Sequence, residues 1–193
     1  MTEDEAVETF YTEERWQNWL DRVEEEELDP ENEESARLLL NLQDDAAIAV
    51  AKIIAAYDDG TIDEDRALDE LEKVRDIVLA EVDFENEDKL MLIDGVQTSL
   101  VPVFYSAEEY IVGGVSEGDV DEFVRAAADA EEGEDLDAAL GYLVQAGTRI
   151  IDGAKLDIDL VDELEYGLVS EWVNGLDSLQ SAMEDPEVVE EEE

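Results

Sequence analysis

From Thr12 to Glu27 the apolar positions fall at Trp16, Trp19, Leu20 and Val23, an i, i+3, i+4, i+7 stripe that predicts an amphipathic helix. Thr12 is placed to cap it, and Glu13 and Glu14 suit its first turn. Asp29-Pro30 stops this pattern and opens a second, long helix over Pro30–Tyr57, with Leu38, Leu39, Leu42, Ala46, Val50, Ile53 and Ile54 inward. A third, Asp63–Glu81, puts Ala67, Leu68, Leu71, Val74 and Val78 on one face. A fourth, Glu87–Val112, is closed by Gly113-Gly114 and carries Pro102, which predicts a kink. Ser116 is placed to cap a fifth that ends near Glu131, and a sixth spans Leu136–Asp152. A seventh, Asp159–Met183, presents Leu164, Leu168, Trp172, Leu176, Leu179 and Met183. No alternating β-branched run or Asn-Gly hairpin turn competes with these helices. The expected fold is all-α, a single bundle of about seven antiparallel helices. An acidic arm (1–11) precedes the bundle domain (12–183), and a disordered acidic tail (184–193) follows it.

The acids sharpen this picture. There are 59 Asp plus Glu in 193 residues, so acid-free stretches mark surfaces that water does not reach. Four stand out: Ala46–Tyr57, Leu90–Ala107 (Asp94 only), Ala138–Ile151, and Tyr166–Met183 (Glu171 and Asp177 only). The fourth helix is expected in the middle of the bundle, with the second, sixth and seventh sharing the interior. A second reading applies to Tyr166–Met183. Its Gly167, Ser170, Asn174, Gly175, Ser178 and Ser181 exceed what a core requires, and neutral small residues on an acid-coated chain also suit a dimer or partner interface.

Eleven Lys plus Arg leave a formal net charge of −48, while the hydrophobic fraction stays at 45%, too high for a disordered acidic chain. Such charge would strain a compact state in dilute salt. At molar salt the Debye length falls to about 3 Å and the repulsion is largely screened. Acids spread along the whole chain therefore point to a halophilic cytoplasm. The N-terminal "MTEDEAVETF" has neither the basic nor the apolar region of a secretory signal, which agrees with a cytoplasmic location. Direct nucleic-acid binding is disfavoured, since no Lys/Arg cluster exists to release counterions. A membrane span is disfavoured too, because Leu90–Ala107 is interrupted by Asp94, Gln97, Thr98, Ser99 and Pro102. With no Cys and no His, thiol chemistry, thiolate metal sites and the commonest general base are excluded.

No catalytic, cofactor-binding or metal-ligating set emerges, and no cofactor is expected. "AAYDDGTIDEDR" (55–66) resembles a calcium loop only in part: its ligand positions one, three and twelve fall on Ala55, Tyr57 and Arg66, so a helix end followed by a helix start reads better. Asp69, Glu70, Glu72 and Asp76, or Asp162 and Glu165, have spacing that could hold Mg²⁺. Such pairs also arise by chance in so acidic a chain. "ADAEEGEDLDAALGYLVQAG" (128–147) has the pattern of one αα-hairpin without a repeat. "FYTEERWQNWL" packs four aromatics into ten positions, either as an anchor on the bundle or as a partner hot spot, and Tyr166 and Trp172 raise the same two readings.

"FYTEERWQNWLDRV", "ENEESARLLLNLQDDAAIAVAKI", "LIDGVQTSLVPVFYSAEEY", "DLDAALGYLVQAG" and "EYGLVSEWVNGLDSLQSAM" together resemble an archaeal, chiefly haloarchaeal, family known only as domain of unknown function 2150. The resemblance covers nearly the whole chain, implies a halophilic cytoplasm, and brings no catalytic residues with it. The function expected is that of a protein–protein adaptor or regulator, as a homo-oligomer with further protein partners unknown. Trp16, Trp19, Tyr166, Trp172, Asn174 and Gln180 would be its contact residues. The alternative is a Mg²⁺-dependent all-α nucleotide hydrolase that works through helical carboxylates.

Overall fold

The computed structural model describes residues 11–26, 31 and 33–184. Among them are eight helices and no strand: α1 Glu13–Glu25, α2 Glu33–Asp58, α3 Glu64–Val78, α4 Glu87–Gly113, α5 Val120–Glu132, α6 Leu136–Ile151, α7 Ile158–Glu163 and α8 Leu168–Glu184. The Asp29-Pro30 junction, the arm to residue 10 and the tail from 185 lie outside the described residues. α4 stands at the centre and packs on α2, α3, α6 and α8. α5 and α6 form the expected αα-hairpin, and α1 lies against α2 and α3 at the edge. One contiguous core draws side chains from all eight helices, with Phe104, Leu42, Ile53, Leu100, Leu143 and Leu176 among its fully buried members.

Three predicted boundaries move. The seventh helix is two, because the chain turns extended at Leu164 and starts again at Leu168. The restart is fixed from a distant helix: the Glu131 carboxylate of α5 accepts the backbone N–H of Leu168 at 2.8 Å and of Val169 at 3.2 Å. A carboxylate on the free N–H groups of a helix start does the work of an N-cap and complements the helix dipole. Gly167 gives it room, since an added Cβ would lie 2.9 Å from Glu131 Oε2. Ser116 does not cap α5, whose cap position is Asp119; the Ser116 N–H donates instead to Thr148 Oγ1 at 3.0 Å. α3 ends at Val78, short of Glu81, because Gln97 of α4 donates to the carbonyls of Val78 and Ala80, both at 2.8 Å. α4 itself runs unbroken through Pro102.

The small residues explain how closely the helices approach α4. A Cβ added at Gly175 of α8 would run into the Ser99 carbonyl of α4, and one at Gly147 of α6 would run into the Ser106 side chain. At Gly175 the obstacle is backbone, and such contact tolerates only glycine.

Candidate interaction surface

The six residues singled out from the sequence do not form one patch. Trp16 (4% exposed) and Trp172 (6%) sit in the core. Trp19 is half-buried, donates from Nε1 to Asp45 at 2.8 Å, and carries the Arg22 guanidinium over its ring. Gln180 accepts the Leu156 N–H at 2.7 Å. The Asn174 side chain is exposed, while its carbonyl accepts from Gln43. Tyr166 stands out at 90% exposure in the link before α8, its hydroxyl 3.3 Å from a Glu171 carboxylate oxygen.

Two of these positions help to hold α1 and α8 in place. Asp45 of α2 is buried and receives Arg15 through two bonds, 2.8 Å from Nε and 2.5 Å from the terminal nitrogen, together with the Trp19 indole. Around this clasp Trp16, Leu20 and Val23 bury their side chains, each worth about 1.5–3 kcal/mol. Burial also pushes the Tyr11 hydroxyl up, with the Asp45 carboxylate adding to the rise. Across the α2–α8 seam, Gln43 Nε2 donates to Ser178 Oγ at 2.9 Å. Beside it burial pushes the Asp44 carboxyl above its ordinary value, opposed by the Ser178 hydroxyl and reinforced by Asp177. Sequence reading missed Asp45, Arg15 and Glu131, because each works through a partner on another helix.

The acidic pairs on α3 are engaged within the fold. Glu70 is buried and accepts from Arg66 at 2.9 Å and Lys73 at 3.1 Å, while Arg75 reaches both Glu72 and Glu108. Among the described residues no group of three or more Asp and Glu is arranged to hold a metal ion.

The surface that stands apart belongs to α4, and here the expected burial of this helix needs correction. By length and composition α4 could cross a membrane, and only half of its apolar window is buried against the other helices. The rest faces outward: Met91 is 72% exposed, Tyr105 43% and Val112 64%, with Thr98 and Val101 partly exposed between them. Met91, Asp94, Thr98, Val101, Tyr105, Glu108 and Val112 are spaced alternately three and four residues apart, so they line one edge of a helix about 40 Å long. The neighbours explain the gap, since α3 flanks this edge through Glu108 while α6 and α8 meet α4 at Ser106 and Ser99. At its start the edge opens into a cleft of about 770 Å³ between α4 and the α3–α4 link. Leu79, Val82, Leu90 and Met91 supply its apolar lining and Glu81, Glu87 and Asp94 its charge. The signal was present in the sequence as a heptad-like spacing, masked by reading low acid content as burial on every side.

A family model described as an uncharacterized protein conserved in archaea (DUF2150) matches residues 9–192. No curated protein and no solved structure matches the chain.

Proposed function

As the chain belongs to the archaeal family DUF2150, whose description brings no activity with it, we propose a function from its own surface: a protein–protein interaction module that seats a basic amphipathic helix along the outward edge of α4. One observation carries this reading. In a chain with 59 acids, the positions along this edge between Asp94 and Glu108 are the partly exposed Thr98 and Val101 and the exposed Tyr105, bracketed by the exposed Met91 and Val112. Side chains alternating three and four apart make the seam along which a second helix lies, and Met suits adaptable apolar contact. The cleft adds a preference of charge, because an occupant with Lys or Arg beside its apolar face would meet Glu81, Glu87 and Asp94. A second copy of this chain, laid antiparallel on the same edge, would bring Asp94 toward Glu109 and toward a Glu108 already paired with Arg75, and would join two strongly acidic surfaces. Charge therefore favours a basic partner over self-association. The role is that of an adaptor or regulator without chemistry of its own, in a salt-rich cytoplasm.

The test is fluorescence anisotropy with a labelled Lys/Leu helical peptide in molar KCl, where long-range attraction to the acidic surface is screened. Saturable binding that weakens at least tenfold in both Met91→Glu and Tyr105→Glu supports the reading, because each change adds negative charge yet removes apolar contact. Equal binding of a scrambled peptide of the same composition overturns it. A dimer by light scattering that Tyr105→Glu dissociates would assign the edge to a second copy instead.

A further inference from the structure

α6 carries no acid from Ala138 to Ile151, and burial accounts for only part of that. Leu143 and Ile150 turn into the core as α6 packs on α4, α5 and α8. The opposite face presents Asp137, Ala138, Gly141, Tyr142, Gln145 and Arg149, each partly or fully exposed. Two of these residues have no explanation inside the fold. Gly141 has no positive φ, and a Cβ added there would meet nothing within 4 Å. A glycine in the middle of a helix weakens it, and here neither a turn nor a neighbouring helix requires one. Gly147 on the inner side differs, because Ser106 occupies the space beside it. Arg149 is the other case: it is partly exposed, and no ion pair among the described residues engages it.

Asp137, Gly141, Gln145 and Arg149 follow one another at steps of four and so form one ridge of the helix. An acid stands at its start and a cation at its end, about 18 Å apart along the axis. Such a ridge is complementary to itself when reversed. A second copy laid antiparallel, with a two-fold axis at the level of residue 143, sets each Arg149 against the Asp137 of the other copy. The same operation sets each Gln145 over the other Gly141, where the missing side chain leaves room for a second helix to approach. At molar salt the Debye length is about 3 Å, so the charge of the remaining surface does not keep the copies apart. The outward edge of α4 has no cation among its residues, whereas this face supplies its own counter-charge. We propose that the chain forms a two-fold dimer through the outer face of α6, with the two α6 helices antiparallel and the Asp137–Arg149 pair made twice. This contact stands independently of a helix seated on α4.

Sedimentation equilibrium of the full chain in molar KCl reads the dimer directly. One helix pair is a small interface, so the expected result is a dimer that comes apart on dilution. Gly141→Leu fills the notch at an exposed position and favours the helix, so it should weaken dimerisation at least tenfold while circular dichroism stays that of the wild type. Asp137→Arg sets two cations face to face and should weaken it by a similar factor. Adding Arg149→Asp to that variant restores the pair in reverse and should recover most of the affinity, which a merely structural role for Arg149 would not do. A monomer at every concentration overturns the proposal, as does a dimer that Gly141→Leu and Asp137→Arg leave intact. A folded double variant that stays monomeric overturns the antiparallel pairing. A dimer that Tyr105→Glu dissociates places the contact on α4 and overturns the proposal too.

Discussion

α8 and α4 are both short of acid, and the fold uses that shortage in opposite ways. On α8 Gly175, Ser178 and Trp172 turn inward while Asn174 and Ser181 stay outside: Gly175 lies against the Ser99 carbonyl, Ser178 accepts from Gln43, and Trp172 is in the core. On α4 the shortage is shared between an inner face that touches four helices and an outer edge that keeps Met91, Tyr105 and Val112 in water. The difference is one of side-chain size. Gly and Ser let backbones meet, so they mark close helix packing, whereas large apolar residues left outside after the core is full mark a surface awaiting a partner.

The strongest way to break this contrast is to add one methyl group to α8. Gly175→Ala would force α8 away from α4, because the obstacle is backbone and cannot rotate aside. We expect a loss on the order of 4 kcal/mol, above the usual overpacking range of about 1–3 kcal/mol, measured by urea unfolding. A stable Gly175→Ala would mean that α8 does not sit this close. Gly147→Ala meets a side chain instead, so adding Ser106→Gly should recover much of its loss in a double-mutant cycle.

The two aromatics of this region sharpen the contrast next. Trp172→Ala should cost about 3 kcal/mol as a core truncation, while Tyr166→Ala, at 90% exposure, should stay within about 0.5 kcal/mol. Equal costs would place Tyr166 in a contact that the fold does not contain.

The helices themselves were legible because apolar periodicity is local. Trp16, Leu20 and Val23 face inward as their spacing implies, and α4 begins at Glu87 as expected. What escaped the sequence was pairing at a distance. The break before α8 depends on Glu131, which precedes Leu168 by a whole hairpin, and the early end of α3 depends on Gln97. Of the candidate contact residues, Trp16 and Trp172 have the composition of a hot spot and the burial of a core. Composition alone does not separate those two, since both favour large aromatics. The outer edge of α4 was readable only once the phase of its neighbours was known.

A smaller effect on stability is expected at that edge. Met91→Glu should leave the unfolding free energy within about 0.5 kcal/mol, and Tyr105→Glu, whose ring is more than half covered, should cost about 1 kcal/mol, well short of a core truncation. If either unfolds the protein, the edge is part of the core and the contrast with α8 fails.

The smallest effect tests the seam where α8 meets α2. Burial raises the Asp44 carboxyl above its ordinary value of 3.8, and burial and then Glu184 raise Asp177. A raised carboxyl means that the folded state binds more protons than the unfolded one. Its contribution therefore grows as pH falls through the raised value, is complete below the unfolded value, and is lost as pH rises again. Asp59 has the opposite sign: the Thr61 hydroxyl and N–H hold its carboxyl below 3.8, so its contribution is lost only under stronger acid. Mild acidification from neutrality should thus stabilise the wild type before strong acid destabilises it. Asp44→Asn should flatten the first of these slopes and gain about 0.5 kcal/mol at neutral pH, because the amide need not lose water as a charged group. Asp59→Asn should leave that first slope intact. A pH series of unfolding midpoints in constant KCl separates the two. An unchanged slope in Asp44→Asn would show that the seam is open to water, and that α8 meets α2 less closely than it meets α4.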